Sequence, residues 1–84
     1  MTDWQDYWNL FDELIGLLTE TNQTKIINEF KEAQTNVNGL TDGWFEFLFA
    51  FEKSMQSNRQ DMTADQKEIA EFLIDSLKTT LKRR

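Results

Sequence analysis

The sequence contains no cysteine and no histidine. Without cysteine there is no disulfide, no thiolate metal site and no cysteine nucleophile. Without histidine the chain lacks the commonest metal ligand and the commonest general base of proteins. The sequence also has no glycine-rich phosphate loop, so we expect no catalytic residues and no bound cofactor or metal.

Proline is also absent and there are only three glycines, a composition that favours long uninterrupted helices. No stretch approaches the run of about 20 apolar residues that a membrane-spanning helix needs. The first residues are acidic where a signal peptide carries basic charge, so we expect a cytoplasmic protein. A hydrophobic fraction of 39%, with three Trp, seven Phe and one Tyr, predicts that residues 1–84 fold as one domain.

Basic residues are missing from the first twenty positions. That segment carries five acidic residues, and the whole chain has a net charge of −6. A net negative charge disfavours binding to nucleic acid and to anionic membranes. We therefore expect neither as a direct partner, and we interpret the basic end Lys82–Arg84 as capping of a helix C-terminus.

The most aromatic stretch is residues 43–55. Its aromatic residues alternate as in a strand, but Leu48 and Ala50 between them are apolar too, so no polar face results. A helix over 42–57 instead gives one continuous apolar stripe, with Phe45 and Phe49 in a second row beside it. The residues of that stripe are Trp44, Phe47, Leu48, Phe51 and Met55. Its apolar arc is wider than one neighbouring helix covers, which predicts either the central helix of a bundle or an interface.

Three further segments have helical periodicity, over residues 3–20, 23–37 and 64–82. The pairs Thr2/Gln5 and Thr63/Gln66 have the capping-box pattern, and Asn38 or Gly39 can take the left-handed conformation that ends a helix. The fourth segment has its apolar residues at helical spacing; they are Ile69, Phe72, Leu73, Ile74, Leu77 and Leu81. Because short connections join antiparallel neighbours, we predict an all-α fold, a small antiparallel four-helix bundle.

Carboxylates are the remaining candidates for acid–base chemistry. They form two groups, which are Asp6, Asp12 and Glu13 in the first helix and Glu68, Glu71 and Asp75 in the fourth. Both groups fall on predicted polar faces, where nothing excludes water or separates their pKa values. No Glu lies in an apolar stripe, so we expect solvated surfaces without catalytic or di-metal function.

The aromatic surplus leads to the first functional hypothesis. The partner-binding candidates open the first and third helices; they are Trp4, Tyr7, Trp8, Trp44 and Phe45. Aromatic residues are enriched at protein interfaces, although all of these could equally fill the core of a small domain. We expect an acidic helical protein–protein interaction module without catalytic activity, for which self-association into a homodimer is one form of binding.

The second hypothesis rests on charge. The acidic residues of the first helix, Asp6, Asp12, Glu13 and Glu20, form a ridge that suits an inhibitor or immunity-type protein. Such a protein would mask a basic site on a toxin or a nucleic-acid-handling enzyme. Complementary charge would speed the association of the two proteins.

Overall fold

The computed structural model describes residues 4–37 and 41–82. Within them the α-helices are α1 Trp4–Glu20, α2 Thr24–Gln34, α3 Thr41–Asn58 and α4 Ala64–Lys82, and a 3₁₀ turn, Arg59–Asp61, precedes α4. These residues contain no strand, which confirms the predicted all-α fold. Thr2 of the Thr2/Gln5 capping box lies outside the described residues, as do Asn38 and Gly39, the two positions expected to be left-handed.

The four helices form the predicted bundle. α1 packs against α2 and α4, and α3 packs against the same two helices, so α1 and α3 face each other across the diagonal. α1 and α4 are antiparallel, because residue 7 meets residue 73 while residue 17 meets residue 66. α2 and α3 are antiparallel as well, because residue 25 meets residue 58 and residue 29 meets residue 54.

Aromatic rings fill the diagonal between α1 and α3. The ring of Phe11 makes edge contacts with those of Phe47 and Phe51, at centroid distances of 6.0 and 5.8 Å. Phe30 of α2 meets Phe51 edge-on at 4.7 Å. Edge-to-face packing at these distances is the favourable geometry for aromatic pairs. The stripe predicted for the third helix is thus confirmed as core, with Phe47, Leu48, Phe51 and Met55 buried and Trp44 half-buried.

The second helix is shorter than predicted, ending at Gln34 instead of residue 37. The Thr35 hydroxyl donates to the Glu32 carbonyl at 2.6 Å. The amides of Asn36 and Val37 bond to carbonyls three residues back instead of four. Hydrogen bonding by a threonine side chain and tightening into i to i−3 bonds are both common ways for an α-helix to end.

A tight turn joins α1 to α2. Asn22 has a φ of 59°, the left-handed conformation that asparagine tolerates better than most residues. The Asn22 amide donates to the Thr19 carbonyl and the Gln23 amide to the Leu18 carbonyl, at 3.1 and 3.0 Å. This pair of bonds is a Schellman motif, which satisfies carbonyls at the end of α1.

The capping box at the start of α4 is confirmed. The Thr63 amide donates to the Gln66 side-chain oxygen at 3.0 Å, and the Gln66 amide donates to the Thr63 hydroxyl at 3.2 Å. Gln66 is also buried, and its Nε2 donates to the Leu17 carbonyl at 3.1 Å and to the Thr21 hydroxyl at 3.0 Å. The cap of α4 therefore also fixes the end of α1.

Candidate protein-binding surfaces

Tyr7 is a core residue, not a surface one. Its side chain is 1% exposed and its hydroxyl donates to the Leu73 carbonyl of α4 at 3.1 Å. Burial raises the pKa of the phenol above its ordinary value, because the phenolate would lose its hydration. Tyr7 therefore joins α1 to α4 from within the core and leaves almost no surface of its own for a partner.

Trp8 and Trp44 stack on each other across the bundle diagonal. Their ring centroids are 5.5 Å apart with planes inclined by 26°, and Trp8 meets the Phe11 ring edge-on at 5.4 Å. Both indoles are half-buried, so they close one end of the core and expose only part of their rings. The side chain of Trp4, a further candidate, lies outside the described residues.

The outer α3 face, which we define by Phe45 and Phe49, is turned away from the core. Phe45 is 37% and Phe49 67% exposed. Each lies two residues from the buried Phe47, and at about 100° per residue this places both near the opposite side of the helix. α3 is thus an ordinary corner of the bundle rather than its central helix, and the second row of Phe45 and Phe49 lies outside the core.

A second exposed apolar surface lies between α1 and α4. Phe72 is 55% exposed, although it belongs to the apolar set that lies at helical spacing in the fourth helix. It lies about 100° around α4 from the buried Leu73, at the edge of the face that the neighbouring helix covers. We call this surface the α1–α4 groove; it is open to solvent and has a volume of about 420 Å³. Its lining residues are Asp6, Tyr7, Asn9, Leu10, Glu13, Phe72 and Leu73.

The acidic residues of α1 do not form one ridge. All four are exposed, but of these Asp6 and Glu13 line the α1–α4 groove, whereas Asp12 and Glu20 do not. Asp6, Glu13 and Glu20 follow each other at seven-residue spacing and so share one side of the helix. Asp12 lies about 100° around the helix from Glu13, so the predicted four-residue ridge is reduced to a row of three.

A polar cluster between α2 and α3 was not predicted from the sequence. The Glu29 carboxylate accepts from the Ser54 hydroxyl at 2.6 Å and from the Asn58 amide at 2.9 Å, and Lys25 lies 3.6 Å from its other oxygen. The Ser54 and Asn58 bonds, and then the Lys25 charge, hold the pKa of Glu29 below its ordinary value against the opposing effect of desolvation. Ser54 and Asn58 are buried, so the cluster satisfies polar groups inside the bundle.

The carboxylates of α4 are also arranged as surface residues. Glu71 lies 3.4 Å from the Arg59 guanidinium, and both side chains are about half exposed. Glu68 and Asp75 are exposed. No three acidic side chains of residues 4–37 and 41–82 lie close enough together to hold a metal ion.

Comparisons with known proteins give no match. No protein-family model matches the chain, and no curated protein or solved structure is significantly similar to it. Among the described helices, none combines the length and the apolar character needed to cross a membrane. The two exposed apolar surfaces are therefore the starting point for a function.

Proposed function

We propose that the protein is a small acidic interaction module without catalytic activity, and that a second copy of the chain binds its outer α3 face. The observation that carries this proposal is the exposure of Phe49, at 67%, with Phe45 one helical turn before it. Burying a phenylalanine side chain stabilises a protein or complex by about 1.5 to 3 kcal/mol. Two such rings on one face of one helix leave a contact surface that the bundle itself does not use.

The charges around Phe49 favour a second copy as the occupant. Glu46 precedes Phe49 by three residues and Lys53 follows it by four, and both side chains are exposed. Homodimers commonly have two-fold symmetry, in which the same patch on each copy contacts the other. If two α3 helices meet antiparallel near Phe49, each Lys53 comes beside the Glu46 of the second copy. The surface is therefore complementary to itself in charge as well as in apolar character.

The test is solution mass as a function of concentration, measured by light scattering on a sizing column. The wild-type protein is compared with Phe49→Ser and with Phe72→Ser, which makes the same chemical change at another exposed ring. We expect the mass to rise towards that of a dimer for the wild type and for Phe72→Ser, and to stay monomeric for Phe49→Ser. A wild type that stays monomeric up to millimolar concentration, or equal loss in both variants, would overturn the proposal.

A further inference from the structure

We infer that the α1–α4 groove is a second binding site, which takes a basic segment of another protein that carries one large apolar side chain between two cations. This second site is distinct from the surface proposed for self-association. The groove lies between α1 and α4, whereas the outer α3 face is at another corner of the bundle. The hypothesis that acidic residues of the first helix bind a basic partner is thereby restricted to the two acidic residues that line this groove, Asp6 and Glu13.

The floor of the groove is apolar and held in place. Leu10 is half-buried against the core and Phe72 is 55% exposed, so both present apolar surface to an incoming side chain. Beneath them the hydrogen bond from Tyr7 to the Leu73 carbonyl joins the two helices that form the walls. A volume of about 420 Å³ lies within the range of small ligand pockets and accommodates one large side chain. A preformed site of this kind lowers the ordering cost of binding.

The charge of the groove selects a basic occupant. Asp6 and Glu13 are its charged lining residues, and no Lys or Arg of the described residues lines it. Neither carboxylate forms an ion pair with any residue in the described part of the chain. Two exposed acids without a cationic neighbour attract a cationic segment and repel an anionic one. Nucleic acid and anionic lipid surfaces are disfavoured for the same reason.

The spacing of the two carboxylates defines the segment further. Asp6 and Glu13 are seven residues apart, which corresponds to about 10 Å along the axis of α1. Leu10 lies between them, four residues after Asp6 and three before Glu13. A helical segment with Lys or Arg at positions i−3 and i+4 around a Leu or Phe anchor presents its charges at the same separation. An anchor in the groove then brings each cation beside one carboxylate.

The probe is a fluorescein-labelled synthetic helical peptide with one Phe anchor and Lys at positions i−3 and i+4. A second peptide has Glu in place of both Lys residues. Binding is measured by fluorescence anisotropy at low ionic strength. We expect saturable binding of the Lys peptide that weakens as salt is added, and no binding of the Glu peptide. No binding of the Lys peptide, or equal binding of both peptides, would overturn the inference.

Two matched double variants distinguish binding in the groove from attraction to the net negative charge of α1. Asp6→Asn with Glu13→Gln removes two charges that line the groove, and Asp12→Asn with Glu20→Gln removes two from the same helix outside it. We expect the first pair to weaken Lys-peptide binding about tenfold, which corresponds to about 1.4 kcal/mol, and the second pair to change it less than about twofold. Equal loss in both pairs would show that attraction to the whole acidic helix is sufficient, and the inference would be wrong.

Single variants separate this site from the outer α3 face. We expect Phe72→Ser to weaken peptide binding while Phe49→Ser leaves it unchanged, with far-ultraviolet circular dichroism confirming that both variants are folded. Because both rings are exposed, neither substitution removes a buried core contact. Loss of peptide binding in Phe49→Ser but not in Phe72→Ser would overturn the assignment to the groove. Failure of self-association alone would leave this site unaffected.

Discussion

For the substitution Gln66→Glu, the capping-box pattern and the structure predict different changes in the free energy of unfolding. Glutamate is a standard residue at this position of a capping box, so the pattern alone predicts little change. In the structure the side-chain oxygen of Gln66 accepts from the Thr63 amide, a bond that Glu preserves. Its Nε2, however, donates to the Leu17 carbonyl and to the Thr21 hydroxyl, and an ionised carboxylate cannot donate. The variant therefore places a buried negative charge against a carbonyl oxygen.

The expected loss of stability for Gln66→Glu is about 2 to 4 kcal/mol at pH 7. A buried acceptor that loses its donor costs about 1 to 3 kcal/mol, and a buried charge adds a desolvation penalty. Protonation of the introduced glutamate side chain sets the upper limit of the charge penalty, because a neutral carboxyl group carries no charge and can donate a hydrogen bond. Protonating a glutamate with an ordinary pKa of about 4.3 at pH 7 costs about 3.7 kcal/mol, at about 1.36 kcal/mol for each unit of pH. The charge penalty cannot exceed that value.

The loss of stability in Gln66→Glu also depends on pH. Burial raises the folded-state pKa of the introduced Glu above its unfolded value of about 4.3, so the folded state binds the proton more tightly. The penalty relative to the wild type is therefore small below pH 4.3 and grows as the pH rises towards the folded-state pKa. Urea unfolding followed by tryptophan fluorescence at pH 4 and pH 7 measures it.

Gln60→Glu is the control for Gln66→Glu, because Gln60 is exposed in the 3₁₀ turn and the substitution adds the same charge. We expect the control to change the free energy of unfolding by less than about 0.5 kcal/mol at both pH values. A Gln66→Glu variant that is as stable as the control at pH 7 would refute the assignment of Gln66 as a buried donor to α1.

Two further predictions concern the stability of α1 and of the polar cluster between α2 and α3. Gly16 lies within α1 and a Cβ built on it meets nothing within 4 Å, so Gly16→Ala should raise the free energy of unfolding by about 1 kcal/mol in urea titrations; no gain would show strain at this position. Glu29 has a lowered folded-state pKa, so its contribution to stability is present above the unfolded value of about 4.3 and is lost as the pH falls through the folded-state pKa. Glu29→Gln should therefore flatten the fall in urea midpoint on acidification, and an unchanged slope would contradict the cluster with Ser54 and Asn58.

Helix positions and the centre of the core follow from the sequence for a clear physical reason. The apolar residues of α3 between Phe47 and Met55 repeat at the helical period, and a stripe of that kind must be buried against neighbouring helices. The Thr63/Gln66 pair likewise identifies the start of α4, because its two hydrogen bonds are local. The centre of the core and the start of α4 are therefore predicted correctly, whereas the end of α2 is not.

Exposure of particular rings does not follow from spacing. Phe72 lies at helical spacing with the core residues of α4, yet it is at the edge of the apolar face and no neighbouring helix covers it. Tyr7 shows the opposite outcome: the sequence makes it a candidate for an interaction surface, but in the structure it is buried and bonded to the Leu73 carbonyl. Both outcomes depend on how closely neighbouring helices approach, which is a property of the assembled bundle.

The polar cluster of Glu29, Ser54 and Asn58 was not predicted, although the sequence contains a signal for it. Phe47, Phe51, Ser54 and Asn58 continue a single helical stripe at intervals of four, three and four residues. The last two positions of that stripe are therefore buried polar groups that need partners, and Glu29 supplies one. Extending the stripe past Met55 would have predicted that α3 continues through Asn58 and that an acceptor from another helix lies beside it.

The most direct test of the outer α3 face is nuclear magnetic resonance of the ¹⁵N-labelled protein on dilution from millimolar to micromolar concentration. We expect concentration-dependent amide shifts at Phe45, Glu46, Phe49 and Lys53, with those of Leu10 and Phe72 unchanged. Spectra that do not change on dilution, or shifts confined to residues elsewhere in the bundle, would contradict the claim that a second copy of the chain binds this face.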